Sequence, residues 1–358
     1  MRRIQTCYIL ELPATIVVDI ISPILMNNTW QQVVTDFRIH TPLKMKKITS
    51  ALLITLVFTT TVLSNCKGYK PTVKIAIVAP FSGMYREIGY QVLNGASIAV
   101  NEYNDSNTAL TGIELIAFDD AGNPTQAQEQ ANKLITDKKV LVVIGHWLDK
   151  TTTAAAPIYM NANLPLLSTS AKPSNPNNTW STFFRLHPTT EQITAEIERA
   201  QKIYSIFSGC NCDPYEGADF LDNLQKQNQN NVAIGGPLWS LQTFNDIARH
   251  KSEASFFVVP VAEPMLENIS SQFIKQYKTA YPEGPDPSWF SLHAYESINL
   301  IVNTIQSTET LTSKSFAQTL SEIDYHGLIG RVQFDSDGKW IMPQLKVYKW
   351  DNSTKSLP

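Results

Sequence analysis

The stretch Val73-Lys-Ile-Ala-Ile-Val-Ala-Pro-Phe-Ser-Gly83 decides the fold of this chain. Its first seven residues are mostly β-branched or small and apolar, and a proline ends the run, as is typical of a strand buried in a parallel sheet. A glycine-containing turn at 81–89 follows, and apolar residues then recur at helical spacing as far as Val100. The stretch therefore predicts a strand, a turn and a helix. Because ligands bind at the carboxyl ends of strands in open α/β sheets, the turn is the first candidate site.

The same alternation of strand and helix continues along the chain. Further strands are predicted at 112–118, 140–144, 164–167 and 183–186. Asn123 and Pro124 predict a helix start, because Asn is a good N-cap and Pro suits the first helical position. Strands and helices at this spacing predict a parallel sheet with right-handed crossovers.

A second group of elements follows a polar passage at 172–182. Strands are predicted at 204–207, 231–235 and 254–259, and helices at 217–225, 273–281, 291–305 and 316–323. Near the C terminus, 331–334 and 345–348 predict a closing hairpin around a turn at 335–338. The fold class is thus α/β, with a second lobe that is expected to be small.

Composition and charge restrict the function. The 358 residues are 43% hydrophobic and 17% charged, which is typical of a globular protein large enough for two domains. The net charge of −3 and the lack of a long basic run argue against nucleic acid as a partner. No nucleophile–base pair, metal-ligand cluster or phosphate-binding glycine loop occurs at a meaningful spacing, so we expect no enzyme, no cofactor and no metal.

An apolar run at 48–63 has the features of an export signal. It follows Met45-Lys-Lys47, and it is short and rich in threonine, as in a secretory signal peptide rather than a membrane span. The sequence Leu63-Ser-Asn-Cys66 resembles a bacterial lipobox, which implies lipidation of Cys66; Asn65 departs from the usual small residue, and a plain signal peptide is the alternative. We expect an upstream extension at 1–44, a signal at 45–65 and a tether at 66–72.

Two further cysteines, Cys210 and Cys212, are separated by one residue. A disulfide between them would close a strained ring, so the sequence predicts two thiols. No further Cys or His stands at a metal-ligand spacing from them.

The motifs together resemble the extracytoplasmic solute-binding proteins of ABC transporters, of the leucine/isoleucine/valine-binding type. The resemblance covers nearly all of 73–350. The residues that carry it are Lys74-Ile-Ala-Ile-Val-Ala-Pro-Phe-Ser-Gly83, Asn94-Gly-Ala96, Phe118-Asp-Asp120, Val143-Ile-Gly-His146, Ala155-Ala-Pro-Ile-Tyr159, His326-Gly-Leu-Ile-Gly330 and Val332-Gln-Phe-Asp335 with Gly338. It implies the type I periplasmic-binding-protein fold, in which two α/β lobes with parallel sheets flanked by helices close on a small molecule.

The resemblance also implies a domain division. The first lobe comprises 73–186, and 289–325 returns to it. The second lobe comprises 187–288, and 326–358 forms a hairpin near the hinge and the C terminus. A strand–helix–strand unit of the family is expected to be missing after 191–201, which would leave a reduced second lobe and one weaker wall for the ligand.

Candidate ligand-binding residues follow from the family's loops after the first, third and fourth strands. They are Ser82, Tyr85, Trp147, Asp149, Thr151, Thr152, Ser168, Ser170 and Lys172, with Tyr215 and Glu216 from the second lobe. Hydroxyl and N–H groups before a helix suit a carboxylate, and aromatic walls offer apolar area or a face for an ammonium group. The structural alternative for the Ser and Thr residues is helix capping and turn formation.

Two of these positions depart from the amino-acid binders. Asp149 stands where those proteins have a serine for the α-carboxylate, and Lys172 stands where they have a threonine. Since a carboxylate at the first place would repel an α-carboxylate, a branched-chain amino acid and a cationic or polar solute or a small amide remain open as ligands.

The expected function is the binding of a small polar solute for ABC permease subunits. The protein is expected to be a monomer, lipid-anchored at the outer face of the cytoplasmic membrane or in the periplasm. A ligand-sensing or scaffold lipoprotein that regulates a membrane partner is the alternative from another class, and a degenerate protein that no longer binds tightly is a third.

Overall fold

The computed structural model describes residues 70–171, 173, 180–227, 232–253 and 255–358. The predicted extension at 1–44, signal at 45–65 and lipidated Cys66 lie outside the described residues, as does Lys172. Residues Lys70–Pro358 form one compact unit.

The strands and helices that the sequence predicts occur in the predicted order, together with short elements that it does not predict. The strands are β1 (Thr72–Ala79), β2 (Gly112–Asp119), β3 (Val140–Gly145), β4 (Leu166–Ser168), β5 (Phe183–Arg185), β6 (Ser208–Cys210), β7 (Ala233–Gly235), β8 (Phe256–Val259), β9 (Tyr325–Gly327), β10 (Gly330–Val332), β11 (Lys346–Asp351) and β12 (Thr354–Ser356). The helices are α1 (Arg86–Asp105), α2 (Pro124–Leu134), α3 (Asp149–Asn161), α4 (Thr190–Tyr204), α5 (Pro214–Lys226), α6 (Gln242–Ala248), α7 (Pro264–Glu267), α8 (Ser271–Ala280), α9 (Trp289–Ser307) and α10 (Ser313–Ser321).

The first sheet is parallel throughout and has the order β2-β1-β3-β4-β5. Strand β1 lies between β2 and β3, and its residues 75–79 are fully buried because helices cover both faces of the sheet. Helix α2 begins where the sequence predicts, since Asn123 Oδ1 accepts hydrogen bonds from the N–H groups of Thr125 (2.9 Å) and Gln126 (3.1 Å). The predicted α/β class and parallel sheet are confirmed.

The second sheet has the order β12-β11-β8-β7-β6. Strands β6, β7 and β8 are parallel to one another, and β11 runs antiparallel to both β8 and β12. Within the described residues this sheet has as many strands as the first, because β11 and β12 complete it from the C-terminal region. The expected reduction of the second lobe is not confirmed.

The closing hairpin predicted from 331–334 and 345–348 is wrong. Strand β10 pairs with β9 instead, and β11 pairs with β8. The physical reason is burial: Tyr348 and Trp350 on β11 are almost fully buried, and their rings lie 6.0 and 5.9 Å from that of Phe257 on β8. The turn residues at 335–338 carry no information about a partner strand as distant in the sequence as β8.

The strand predicted at 204–207 is also misplaced. Helix α4 runs to Tyr204, and Ser205 ends it in the left-handed region with φ 54°. The strand starts only at Ser208, so the apolar residues before it belong to the end of a helix and the connection that follows.

Helix α9 packs closely along α1. A Cβ atom at Gly95 on α1 would lie 2.0 Å from the carbonyl oxygen of Ser291 on α9, so this crossing requires glycine. Helix α8, which the sequence assigns to the second lobe, also packs on α1: Tyr277 Oη donates to Gln91 Oε1 (3.1 Å) and accepts from Asn94 Nδ2 (3.2 Å). Among the described residues, no helix combines the length and the apolar character that crossing a bilayer requires.

Candidate functional site

A cavity of about 270 Å³ lies where the carboxyl ends of the two sheets meet. The first sheet contributes loops that follow β1, β3, β4 and β5, and the second sheet contributes loops that follow β6 and β7. The first turn of α9 completes the wall. Lining residues include Tyr85, Trp147, Leu148, Asp149, Lys150, Thr169, Ser170, Ala171 and His187 from the first side, Asn211, Cys212, Asp213, Glu216, Pro237 and Leu238 from the second, and Trp289 and Phe290 from α9.

Aromatic side chains form much of the wall. Tyr85, Trp147, Trp289 and Phe290 line the cavity, and none is more than 4% exposed. The rings of Trp289 and Phe290 stack with centroids 3.7 Å apart, and Trp147 meets Phe290 edge-on at 6.1 Å. These rings hold one another in place and offer a rigid apolar surface to a small molecule.

Charged groups lie at the edge of this aromatic wall. Lys150 Nζ lies 5.4 Å from the centroid of the Tyr85 ring, and Asp149 stands in the first turn of α3. On the opposite side, Asp213 and Glu216 form a capping box at the start of α5. Burial, followed by the negative charges of Asp213 and Glu216, raises the pKa of Tyr85 to about 12, which places these carboxylates within electrostatic reach of the Tyr85 hydroxyl.

The candidate hydroxyl groups of α3 turn away from the cavity. Thr151 Oγ1 donates to Leu148 O (3.0 Å), and Thr152 Oγ1 donates to His146 O (2.8 Å); both side chains are fully buried and neither lines the cavity. These contacts match the alternative to ligand binding given above, in which Thr and Ser side chains hydrogen-bond to nearby backbone groups.

The remaining candidates divide into two groups. Tyr85, Trp147, Asp149, Ser170 and Glu216 line the cavity. Ser82 is exposed and its N–H donates to Asp119 Oδ1 (3.3 Å), Ser168 is buried beneath the surface, and Tyr215 is 52% exposed; none of these three lines the cavity. Lys172 lies outside the described residues.

A buried polar network shapes the loop that follows β3. His146 Nδ1 lies 2.6 Å from Asp120 Oδ2, and His146 Nε2 lies 3.2 Å from Tyr159 Oη. The carbonyl oxygen of His146 accepts from both Thr152 and Thr169. Because these groups are fully or almost fully buried, they fix the backbone that carries Trp147 to the cavity.

Sequence reasoning missed much of the opposite wall. Trp289 and Phe290 are the first residues of an apolar helix, where core and ligand contacts look alike in a sequence. His187 follows β5, and burial lowers its pKa to about 4, so it is neutral at pH 7. Asp213 had a usable signal: an acidic residue directly before Pro214 predicts a helix N-terminus, and it comes just after a strand.

The two cysteines form a disulfide, which corrects the prediction of two thiols. Their Cα atoms are 5.4 Å apart, within the range that disulfides span. Strand β6 ends at Cys210, and the chain bends there, because extended backbone would separate the two Cα atoms by about 6.6 Å. The disulfide lies in the cavity wall, since Cys212 and Asn211 are both lining residues. Among the residues that the structure describes, no group of three or more His, Cys, Asp or Glu side chains could hold a metal ion.

A family model described as periplasmic binding protein matches residues 72–202 and 213–355 of this chain. Among curated proteins, the chain is 22% identical over 337 residues to a leucine-, isoleucine-, valine-, threonine- and alanine-binding protein of Pseudomonas aeruginosa. That match covers 78% of this chain and 90% of the relative.

Solved structures show the same fold at low sequence identity. The branched-chain amino acid transporter substrate binding protein LivJ from Streptococcus pneumoniae, in complex with isoleucine, superimposes with a TM-score of 0.65 and 18% identity over 80% of this chain and 99% of its own. A solute binding protein from R. palustris in complex with benzoate gives a TM-score of 0.64 and 13% identity over 79% and 94%. These likenesses agree with the two-sheet architecture described above.

Proposed function

The chain belongs to the periplasmic binding protein family, and from this we propose that it binds a small polar solute in the cavity between its sheets and delivers it to an ABC uptake transporter. Proteins of this family bind solutes, act outside the cytoplasm and have no enzymatic activity. Membership therefore confirms the expectations of an extracytoplasmic location and of a protein that is not an enzyme. The observation that carries the proposal is the cavity at the carboxyl edges of both sheets.

The size and surface of the cavity support a solute of amino-acid size. About 270 Å³ suits a compact molecule, and aromatic walls with a few charged groups on either side are typical of small-molecule sites. The relatives are described as binding leucine, isoleucine, valine, threonine and alanine, and a structural neighbour holds benzoate. We propose that Tyr85, Trp147, Asp149, Ser170 and Glu216 contact the solute.

The two lobes of the proposed closing motion follow the sheets. We assign 73–186 with 289–325 to the first lobe and 187–288 to the second, except that α8 goes with the first lobe because it packs on α1. The chain leaves the first sheet after β5 and forms β6, β7 and β8 of the second sheet. After β8 it returns to α9, which packs on α1, and before β11 it crosses to the second sheet again. These three connections are the proposed hinge.

We further propose that the protein is a lipid-anchored monomer. The support is the sequence at 45–66, in which a positive flank and a short apolar run precede Cys66. A palmitate analogue fed to expressing cells is expected to label the native chain, and Cys66→Ser is expected to abolish the label. A native chain without label contradicts the anchor, and size-exclusion chromatography with light scattering tests the monomer.

Thermal denaturation of the purified chain against a solute panel tests the main proposal. The panel comprises the common amino acids, amino-acid amides, polyamines, urea, choline and benzoate. A ligand at 100 times its Kd is expected to stabilise the folded chain by about 2.7 kcal/mol, because it binds only that state. A panel in which no solute raises the melting temperature contradicts uptake of such solutes.

A further inference from the structure

The edge of the first sheet that lies opposite the cavity carries a cluster of exposed lysines. It is formed by the residues at the amino-terminal ends of β1, β2 and β3, namely 70–74, 105–114 and 133–139, which we call the basal surface. We propose that the basal surface rests on the anionic headgroups of the membrane to which the chain is tethered. The inference goes beyond solute binding and rests on the proposed lipid anchor at Cys66.

Parallel strands bring the three segments of the basal surface together at one edge. The N–H of Gly112 donates to the carbonyl oxygen of Pro71 (2.7 Å). The N–H of Lys74 donates to the carbonyl oxygen of Lys139 (2.8 Å). Because the cavity lies at the carboxyl ends of the same strands, the basal surface faces away from it.

The length of the tether decides which edge lies near the bilayer. Lys70 is exposed, directly precedes β1 and follows Cys66 by four residues. Four residues span at most about 14 Å when fully extended, so a lipid on Cys66 holds Lys70 within about that distance of the headgroups. The eight residues of β1 extend about 26 Å towards the cavity. The tether therefore brings the basal surface, and not the cavity edge, to the membrane.

The basal surface is positive in a chain that is negative as a whole. Residues 66–358 contain 23 Lys and Arg and 29 Asp and Glu, for a net charge of −6. The charged residues of the basal surface are Lys70, Lys74, Lys133, Lys138 and Lys139 against Asp105, Glu114 and Asp137, for a net charge of +2. Lys74 Nζ lies 2.7 Å from Asp137 Oδ2, whereas the other four lysines are exposed. These four give the surface its positive sign.

The neighbouring residues do not cancel this charge. The described residues before β4 and β5, at 162–165 and 180–182, carry no charged side chain. Glu102 in the last turn of α1 faces the fold, since its Oε2 accepts from Tyr295 Oη (2.7 Å) and its Oε1 is buried. The turn and first residues after α9 add one charge of each sign, at 309 and 314.

An exposed apolar side chain projects from the same surface. Leu110, between α1 and β2, is 84% exposed. Asn104 fixes this connection, because its Nδ2 donates to Ile113 O (2.8 Å) and its Oδ1 accepts from the N–H of Ile113 (2.9 Å). A leucine held beside lysines suits the boundary between headgroups and acyl chains, where apolar side chains insert and basic ones meet anionic lipid.

Electrostatic attraction and the tether act together. Lysines are attracted to anionic headgroups within a Debye length, which is about 8 Å at physiological ionic strength. The tether makes the contact intramolecular, so a weak attraction is sufficient to orient the chain. The contact is therefore expected to depend on lipid charge and on salt.

Hydrogen–deuterium exchange on vesicles tests the inference. The chain 66–358 contains the whole compact unit and is coupled through Cys66 to a maleimide lipid, since its other two cysteines form the disulfide. The vesicles contain phosphatidylcholine alone or with phosphatidylglycerol, so that the tether is constant and only the lipid charge differs. Exchange at 106–111 and 135–139 is expected to be at least twofold slower on the anionic vesicles, and exchange at 211–213, beside the cavity, is expected to be unchanged.

Paired neutral variants connect the slower exchange to the lysines. Lys138→Gln with Lys139→Gln is expected to abolish the difference between the two kinds of vesicle. Lys202→Gln with Lys226→Gln removes the same charge from exposed positions on α4 and α5 and is the matched control, which is expected to retain the difference. Molar salt is expected to abolish it in every chain, because the Debye length falls to about 3 Å.

The outcomes separate this inference from solute binding. Equal exchange on both kinds of vesicle overturns it, and so does a difference that persists in Lys138→Gln with Lys139→Gln. A native chain that cells do not label with the palmitate analogue removes the tether and overturns it as well. Each of these results leaves solute binding intact, because the thermal panel measures that function separately.

Discussion

Two buried histidines lie beside the cavity, where β5 leads out of the first sheet. His293 Nε2 lies 2.6 Å from Leu186 O, and His187 Nδ1 lies 2.8 Å from Pro188 O. Burial is the main cause that lowers the pKa of His187 to about 4 and that of His293 to about 3, and the positive charge of Arg185 adds to the shift of His187. Both rings are therefore neutral in the folded protein above pH 5.

Because of these two histidines, we expect the free energy of unfolding to fall in mild acid. In the unfolded chain a histidine titrates near pH 6.5, so lowering the pH from 7.5 to 5.0 protonates the unfolded state but not the folded one. The stabilisation is present above about pH 6.5 and is lost as the pH falls towards the folded values, at a cost of about 2 kcal/mol per histidine at pH 5.0. Urea denaturation at both pH values measures it.

Single substitutions isolate the histidine contribution. His187→Gln is expected to reduce the pH dependence by about 2 kcal/mol, since Gln does not titrate. His326→Gln is the control, because the side chain of His326 is 70% exposed, and it is expected to change nothing. Equal pH dependence in His187→Gln and the native chain contradicts the account.

At the residue scale, the sequence predicts which side chains stand in the loops that could bind a ligand, but not where those side chains point. Tyr85 and Trp147 were predicted as walls, and both line the cavity. Thr151 and Thr152 have the right position in the chain, but they bond back to the carbonyls of Leu148 and His146. Whether a Thr side chain faces the cavity or the backbone depends on the path of the loop after β3, which the local sequence does not determine.

At the scale of elements, the crossing of α1 and α9 is the tightest constraint on the first lobe. Gly95 approaches Ser291 so closely that any side chain meets the backbone of the other helix. The glycine therefore has a packing role, although glycine inside a helix is intrinsically unfavourable.

Gly95→Ala tests this crossing. The added methyl forces the helices apart, and we expect the free energy of unfolding to fall by about 1–3 kcal/mol, despite the better helix propensity of Ala. Gly284→Ala is the control, because that glycine is exposed and a Cβ there would make only ordinary contacts at 3.4 Å. Chemical denaturation that finds Gly95→Ala as stable as the native chain contradicts the close packing.

Elements with complete local signals were predictable. The strand β1 ends at Pro80, and α2 begins with Asn123 and Pro124, and both signals act over a few residues. Strand β11 was predicted as an element but given the wrong partner, because its neighbour β8 is far away in the chain. The disulfide was missed because the backbone angles at Cys210 and Cys212, rather than the spacing, decide whether the sulfurs can meet.

At the scale of the whole molecule, Glu87 connects the two sides of the cleft. It lies in the first turn of α1, next to the first sheet, and it accepts hydrogen bonds from the N–H groups of Gln242 (3.1 Å) and Thr243 (3.4 Å) at the start of α6. Helix α6 packs on α5 and therefore moves with the second sheet. Partial burial raises the pKa of Glu87, although these hydrogen bonds oppose the shift.

Removing this carboxylate is expected to favour the open form. Glu87→Ala deletes two charge-assisted hydrogen bonds across the cleft, so we expect a larger radius of gyration by X-ray scattering and an affinity about tenfold weaker, or about 1.4 kcal/mol. Glu129→Ala, an exposed change on α2, serves as the control. Unchanged scattering and affinity in Glu87→Ala contradict a role in closure.

The two-lobe organisation could be predicted from the order of strands and helices together with the resemblance to solute-binding proteins. The composition of the cavity could not, because it brings together residues as distant in the chain as Tyr85, Asp213 and Trp289. No local sequence pattern indicates that the carboxyl-terminal edges of the two sheets face each other. That arrangement depends on the three connections proposed above, after β5, after β8 and before β11.

Calorimetric titration of a cavity-filling variant tests the central claim most directly. Ala171 lines the cavity and is 8% exposed, so Ala171→Trp fills the space; Ala162→Trp, exposed at the end of α3, is the control. With the solute that gives the largest thermal shift, the account predicts saturable one-to-one binding to the native chain and to Ala162→Trp, and none to Ala171→Trp. Undiminished binding to Ala171→Trp would show that the solute binds elsewhere and would contradict the account.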